Sequence, residues 1–242
     1  MPSSIFAFKY FNVSQEKSAL KVGADAMILG ALVDTSNSRD ALDIGAGTGV
    51  LSLMLAQQNE NLFVDAVEID KDNVADCQVN FSNSPWSKRL RLIHTDVTAF
   101  VPSAQYDLII SNPPFYSNSL PNTDLRMARA KHEAFLPITT LIGWMAKNVK
   151  SDGSCWLIWP FDTLETLTSV LHENQFNLYS KYTIYSKPNR PSRVVVQFGL
   201  SPKKINLKEL TLRDEVGEYT SAYIELTKNF HAVDLSRKNG KS

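Results

Sequence analysis

Asn112, Pro113, Pro114 and Phe115, in the stretch "YDLIISNPPFYSNS" (106–119), are where residue type and spacing point most directly to chemistry. Two consecutive prolines remove two backbone donors and fix two φ angles. The chain after the apolar run 106–111 is therefore stiff and can continue neither a helix nor a sheet. Such a turn can hold the Asn112 side-chain oxygen and the Pro113 carbonyl toward one small object, with the Phe115 ring beside them. Two acceptors suit the two hydrogens of a flat amine, such as the exocyclic amine of adenine. When that nitrogen attacks an electrophile it becomes cationic, and the oxygens and the ring face favour the charge. The reacted amine is acidic and sheds its own proton, so no His or Cys base is needed, and the motif has none. A base stacked on Phe115 must be flipped out of a helix or presented from a loop.

A second candidate is "LDIGAGTGVLSL" (42–53), where Gly45, Gly47 and Gly49 are spaced G-x-G-x-G, tighter than the dinucleotide fingerprint. Glycines let a backbone turn sharply and approach a ligand closely; the alternative is a plain strand-to-helix turn, for which three glycines are more than needed. A pyrophosphate would use the following helix N-terminus. Asp43 discourages phosphate there and suits the amino group or sulfonium of S-adenosylmethionine. Glu68, in "AVEID", can accept hydrogen bonds from both ribose hydroxyls of an adenosine. NAD folds place an acid similarly, so Glu68 alone does not separate the cofactors. Its plainer reading is a helix cap, for which Asp70 is the better candidate. Asp96, in "HTDV", can accept the adenine amine or be a loop carboxylate.

These residues need strands that end together. Apolar, β-branched runs at 41–45, 62–69, 90–94, 106–111 and 154–159 alternate with helical patterns over 48–58, 72–81, 136–150 and near 162–173. That alternation predicts βαβ units and a parallel sheet with helices on both faces. Runs 176–186 and 193–200 read as an antiparallel pair joined by the turn-rich "KPNRP" (187–191). The expectation is an α/β, Rossmann-like, mostly parallel seven-stranded sheet with an antiparallel C-terminal hairpin. Residues 1–242 form one domain in this reading: an extension over 1–39 packed near the cofactor site, a core over 40–200, and a strand and helix over 201–242, the helix near 219–230.

Composition narrows the class. The 25 basic and 25 acidic residues balance, and Cys77 and Cys155 show no metal-ligand spacing, which suggests buried thiols in a reducing cytosol and no metal site. No apolar run reaches the ~18 residues of a membrane span, and the N-terminus lacks a signal peptide's apolar block. A cytoplasmic protein is expected, with no membrane contact. Balance hides an asymmetry: residues 181–204 hold Lys181, Lys187, Arg190, Arg193, Lys203 and Lys204 and no acid. This hairpin either neutralises RNA phosphates or is a solvated edge kept monomeric by charge. Trp144 and Met145 read as helix core, His94 as a satisfied strand end, and Trp86 as a loop anchor.

"LDIGAGTGVLSLMLAQ", "AVEID" and "NPPF" resemble the methyltransferase superfamily with a small catalytic domain, class I enzymes that modify planar nitrogens. With "FKYFNVSQEKSALKVGADAMILGAL" (8–32) and "RMARAKHEAFL" (126–136), nearly the whole chain is similar to bacterial tRNA1(Val) adenine-37 N6-methyltransferases. The resemblance implies S-adenosylmethionine as cofactor, a tRNA substrate and methylation of adenine 3′ of the anticodon. It places Lys21, Val22, Gly23 and Asp25 on the cofactor site, with Ala46, Ile69, Val97 and Asn112. Ala24 stands where the family commonly has Thr, and Arg129-Ala130-Lys131-His132 departs from an expected near-adjacent Arg and His. Arg126, Arg129 and Lys131 join Lys187, Arg190 and Arg193 as candidate RNA contacts, in a monomeric enzyme. Only about 40 residues precede Asp43, so neither the recognition domain of release-factor glutamine methyltransferases nor the duplicated front half of ribosomal guanine ones is expected. Competing readings are methylation of another planar nitrogen, an rRNA guanine amine or a glutamine amide, and an RNA-interacting protein that binds the cofactor without turnover.

Overall fold

The structure, a computed structural model, describes residues 4–114 and 136–236. Phe115, Arg126, Arg129, Lys131 and His132 lie outside the described residues. The strands are β1 (Ile5–Ala7), β2 (Asn12–Ser14), β3 (Asp40–Ile44), β4 (Phe63–Glu68), β5 (Leu90–His94), β6 (Tyr106–Ser111), β7 (Val149–Pro160), β8 (Asn177–Lys187), β9 (Arg190–Gly199) and β10 (Asn206–Thr211). The helices are α1 (Ala24–Leu32), α2 (Val50–Gln58), α3 (Lys71–Ser82), α4 (Ile138–Asn148), α5 (Leu164–Glu173) and α6 (Ser221–Thr227). The main sheet has the order β10-β8-β9-β7-β6-β3-β4-β5. Every neighbouring pair in it is parallel except β7/β9 and β8/β9, so β9 alone runs against the rest.

The sheet has eight strands where seven were expected. β10, the strand expected within 201–242, pairs in parallel with β8 and so joins the main sheet. Its sequence, NLKELT, exposes Leu207 and carries Lys208 and Glu209, the charged pattern of an edge rather than of a buried strand. The hairpin is also tighter than the sequence suggested, with Pro188 and Asn189 alone between β8 and β9 and Asn189 at φ 57°.

Period-two burial builds the layers. Leu42 and Ile109 face one apolar cluster with Leu141, Met145 and Leu167 of α4 and α5. Their neighbours Ala41 and Ile110 face the other, with Met27, Leu53, Phe81 and Tyr223 of α1, α2, α3 and α6. Leu108, Ile109 and Ile110 in β6 are fully buried, each contributing about 2 kcal/mol by removal from water. Met145 sits in this core, and Trp144 stacks on Phe100 with centroids 6.2 Å apart. β1 and β2 pair antiparallel, Lys9 donates its N–H to the Phe230 carbonyl at 2.8 Å, and Phe11 meets Trp86 edge-on at 5.6 Å. Cys77 and Cys155 are free, buried thiols. No described helix is long and apolar enough to cross a membrane.

This topology locates a crevice. From β3 the chain moves outward through β4 and β5, then returns to β6 on the opposite side of β3. Open α/β sheets hold ligands where the strand order reverses, beyond the carboxyl ends. Here that places the glycine turn after β3 beside Asn112 after β6.

Candidate active site

A cavity of about 590 Å³ opens at that point, within the range of sites for small ligands. Lys21, Gly23 and Asp25, Gly45, Ala46 and Gly47, Glu68 and Ile69, Asp96 and Val97, and Asn112 with Pro113 and Pro114 all line it. Five chain segments far apart in sequence thus meet at the carboxyl edge.

Glu68 ends β4, 4% exposed, and organises the glycine turn. Its Oε2 accepts the Gly47 N–H at 2.7 Å, and its Oε1 accepts those of Ile69 and Asp70, both at 2.9 Å. A carboxylate offers about four acceptor sites, so three backbone donors leave room for about one more partner, fewer than two ribose hydroxyls would use. Burial raises the Glu68 carboxyl above its ordinary range. Asp70, not Glu68, caps α3, accepting from Asp72 and Asn73 N–H at 2.9 and 2.8 Å. Asp96 holds Thr98 N–H and Oγ1 on its Oδ1, both at 2.8 Å, while standing on the cavity wall. His94 Nε2 meets the Ile69 carbonyl at 3.1 Å.

Two expected cofactor residues are turned elsewhere. Asp43 precedes the last residue of β3, and its side chain faces α2, away from the cavity: Oδ2 accepts Ser52 N–H at 3.1 Å and Ser52 Oγ–H at 2.7 Å. Gly49 begins α2 at φ 80° and packs on α3; a Cβ there would lie 2.5 Å from Phe81 and 2.7 Å from the Cys77 sulfur. Gly45 and Gly47, at φ 70° and 57°, differ: a Cβ at either would meet no protein atom within 4 Å. Their missing side chains leave ligand space.

Asp43 makes a testable contribution of another kind. Complete burial pushes its carboxyl up to about 7. The native state then holds a proton that the unfolded chain releases near the usual ~3.9. Stability from this proton is complete below about pH 4 and is lost as pH rises through about 7. Asp43→Asn is expected to flatten that slope, so that between about pH 5 and pH 8 its melting temperature falls less than the wild type's. An equal fall in both proteins would remove Asp43 as the source.

The segment 14–22, whose residues 19–22 line one wall, is held by Lys21 and by three residues that the sequence reading did not single out. Asp76, buried on α3, accepts Lys17 N–H, Ser18 N–H and Ser18 Oγ–H at 3.0, 2.8 and 2.8 Å. Asn80, one turn on, accepts Ser14 N–H at 2.7 Å and donates to the carbonyls of Ser14 and of Thr48 in the glycine turn, at 2.8 and 2.9 Å. Lys21 Nζ donates to the carbonyls of Gln15 and Ser18. Gln15 Oε1 takes the Val22 N–H at 2.8 Å. The i, i+4 spacing of Asp76 and Asn80, each followed by an apolar residue (Cys77 and Phe81), was the available signal.

Wall charge identifies the ligand class. Among the described residues, Asp25, Glu68, Asp70 and Asp96 line the cavity with one cation, Lys21, already engaged by carbonyls, while Arg193 pairs with Asp25 from outside the lining. Four carboxylates reject a pyrophosphate and suit a ligand bearing ammonium or sulfonium charge. With open space at Gly45 and Gly47, the residues fit S-adenosylmethionine. No group of His, Cys, Asp and Glu among the described residues is arranged to hold a metal ion.

The basic hairpin divides. Lys187 and Arg190 flank its tip, beyond the carboxyl edge that carries the cavity. Lys203 and Lys204 precede β10 and lie at the amino edge, where Lys203 covers the Tyr179 ring at 4.4 Å. Arg193, paired in register with Pro160 of β7, turns inward and donates Nε–H to Asp25 Oδ2 at 2.9 Å.

Comparison with known proteins agrees with this arrangement. The family model of the methyltransferase small domain matches residues 18–136, a span that contains all the cavity-lining residues. The tRNA1(Val) (adenine(37)-N6)-methyltransferase of Phocaeicola vulgatus is 35% identical over 232 residues, covering 96% of this chain and 99% of that protein. The enzyme of the same name from a Haemophilus influenzae strain is 33% identical over 236 residues, covering 94% and 98%. Among solved structures, a predicted O-methyltransferase from Agrobacterium tumefaciens superposes with a TM-score of 0.65 at 18% identity, covering 85% of this chain and 96% of that one. A glycopeptide N-methyltransferase solved with S-adenosylmethionine gives 0.52 at 11% identity, covering 69% and 89%; at these identities the likeness concerns the fold. The mostly parallel sheet and its reversed strand are the class I methyltransferase fold, and the chain belongs to the tRNA1(Val) (adenine(37)-N6)-methyltransferase family.

Proposed function

We propose that the protein methylates N6 of adenine 37 in tRNA1(Val), using S-adenosylmethionine, as a cytoplasmic monomer. The observation that carries this reading is the acidic cavity at the β3/β6 crossover, one wall of which is the Asn112-Pro113-Pro114 turn. Gly45 and Gly47 provide backbone approach, and Glu68, Ile69, Asp96 and Val97 form the side suited to an adenosine. When bound, the cofactor supplies an electrophilic methyl group. Asn112 and the Pro113 carbonyl accept the two hydrogens of the target amine, which aligns its nitrogen and favours the positive charge that develops there. The prolines keep those oxygens in place without donors of their own. The N–H proton then leaves to solvent, so no side-chain base takes part.

Mass spectrometry of tRNA nucleosides from cells with and without the gene tests the reading. N6-methyladenosine is expected to disappear from position 37 of one valine tRNA on deletion and to return with the gene. A missing methyl in ribosomal RNA or protein instead would redirect the assignment.

For the RNA, Lys187 and Arg190 at the exposed tip are the proposed phosphate contacts. The double charge reversal Lys187→Glu/Arg190→Glu is expected to weaken tRNA binding by about tenfold or more and to reduce the salt slope by about 2. S-adenosylhomocysteine affinity should stay unchanged in the same preparation. Unaltered tRNA affinity would remove the hairpin from the RNA surface.

A further inference from the structure

Arg193 belongs by sequence to the basic hairpin, yet its guanidinium is engaged 168 positions away in the chain. It sits on β9 beside Pro160, at the carboxyl edge. Nε–H reaches Asp25 Oδ2 at 2.9 Å, and Nη1–H reaches the Ser192 carbonyl at 3.0 Å, which fixes the guanidinium plane. Both side chains of the ion pair are about two-thirds buried, at 32% and 31% exposure. Asp25 lies in the first turn of α1 and on the cavity wall. Gly23 begins that helix without a side-chain cap. On one side the wall is held by Asp76, Asn80, Lys21 and Gln15. On the other, Arg193 ties it to the main sheet.

We infer that Arg193 is a positioning residue for the cofactor wall, acting through Asp25, and is not a phosphate contact. Its rigid guanidinium reaches Asp25 through Nε while Nη1 is held by the Ser192 carbonyl, a fixed orientation that a flexible Lys ammonium would not keep. Holding Asp25 sets where the start of α1, and with it Gly23 and Val22, stands against the cavity. Without the tie, the wall has to be ordered by the incoming cofactor, and affinity falls by that cost. The inference rests on the cavity being the S-adenosylmethionine site.

The experiment measures S-adenosylhomocysteine binding by calorimetry, without RNA, for the wild type, Arg193→Gln, Asp25→Asn and the double variant. A partly buried ion pair predicts about a three- to tenfold weakening in each single variant. The double variant should be no weaker than the weaker single, because both changes break one interaction. In turnover assays Arg193→Gln should raise KM for S-adenosylmethionine by a similar factor while kcat at saturation stays within about twofold. tRNA affinity and its salt slope should match the wild type, in contrast to Arg190→Gln. Should Arg193→Gln melt early, Arg193→Lys and Asp25→Asn carry the same comparison. Affinity within about twofold of wild type in a folded variant, additive losses, or a salt slope lowered as by Arg190→Gln would each overturn the inference. Failure of the wild type to bind S-adenosylhomocysteine would defeat the cofactor reading itself, a result separable from all of these.

Discussion

Asn112→Ala is expected to lower kcat by about two to three orders of magnitude, the usual loss when one preorganised partner of a developing charge is removed. Asn112 follows β6 directly, and β6 is anchored on both sides, by Ile44 of β3 and Leu157 of β7 opposite Ser111. Ser111 Oγ–H also donates to the Ile44 carbonyl at 2.8 Å. The asparagine therefore leaves a rigid strand end and enters a rigid proline pair, and truncating it removes an acceptor without loosening its support. S-adenosylhomocysteine affinity should change by only a few fold, since the rest of the wall is untouched. Asn112→Asp retains an acceptor oxygen and should keep more activity than the alanine variant. Single-turnover kinetics on saturating enzyme checks this, because it separates the chemical step from product release. A kcat within about fivefold of wild type for Asn112→Ala would remove the amide from the chemistry.

Gly47→Val is expected to abolish measurable cofactor binding, a loss of at least about a hundredfold, while the protein still folds. At φ 57° a β-branched residue costs about 1–2 kcal/mol in backbone strain alone. Its Cβ meets no protein atom within 4 Å, so the added volume falls in the cavity and on the ligand. Gly49 provides the internal control from the same motif. A Cβ at Gly49 would collide with Phe81 and Cys77 of α3, so Gly49→Val should lower the melting temperature sharply. Thermal melts and calorimetry on the two variants should therefore separate, one losing the ligand and the other losing the fold. Identical behaviour in both assays would mean that the glycines share one role.

The contrast between these glycines shows where sequence patterns stop. Local order was legible: the apolar runs that become β3, β4, β5 and β6 ended within about two residues of expectation, and the turn and proline motifs converge as the strand order requires. Side-chain direction was not. Asp43 and Glu68 each stand near a strand end before a turn, but period two turns Asp43 under α2 and leaves Glu68 on the cavity. A one-residue difference in where a strand stops reverses that outcome, and sequence patterns do not resolve it. Contacts across the fold were also hidden. Asp76 and Asn80 lie 58 and 66 positions from Ser18 and Ser14, and no local pattern pairs them. Arg193 looked like its basic neighbours because charge counts carry no information about which face of β9 it occupies. The strand expected within 201–242 could not be placed in the sheet, since Lys208 and Glu209 break the apolar run that marks an interior strand.

The most direct measurement is transfer of labelled methyl from S-adenosylmethionine to two unmodified valine-tRNA transcripts, identical except for adenine or guanine at position 37. Label should appear as N6-methyladenosine in the adenine transcript alone, and Asn112→Ala should bind that transcript but label it at least about a hundredfold more slowly. Equal labelling of both transcripts, or no labelling by an enzyme that binds S-adenosylhomocysteine, would contradict the account.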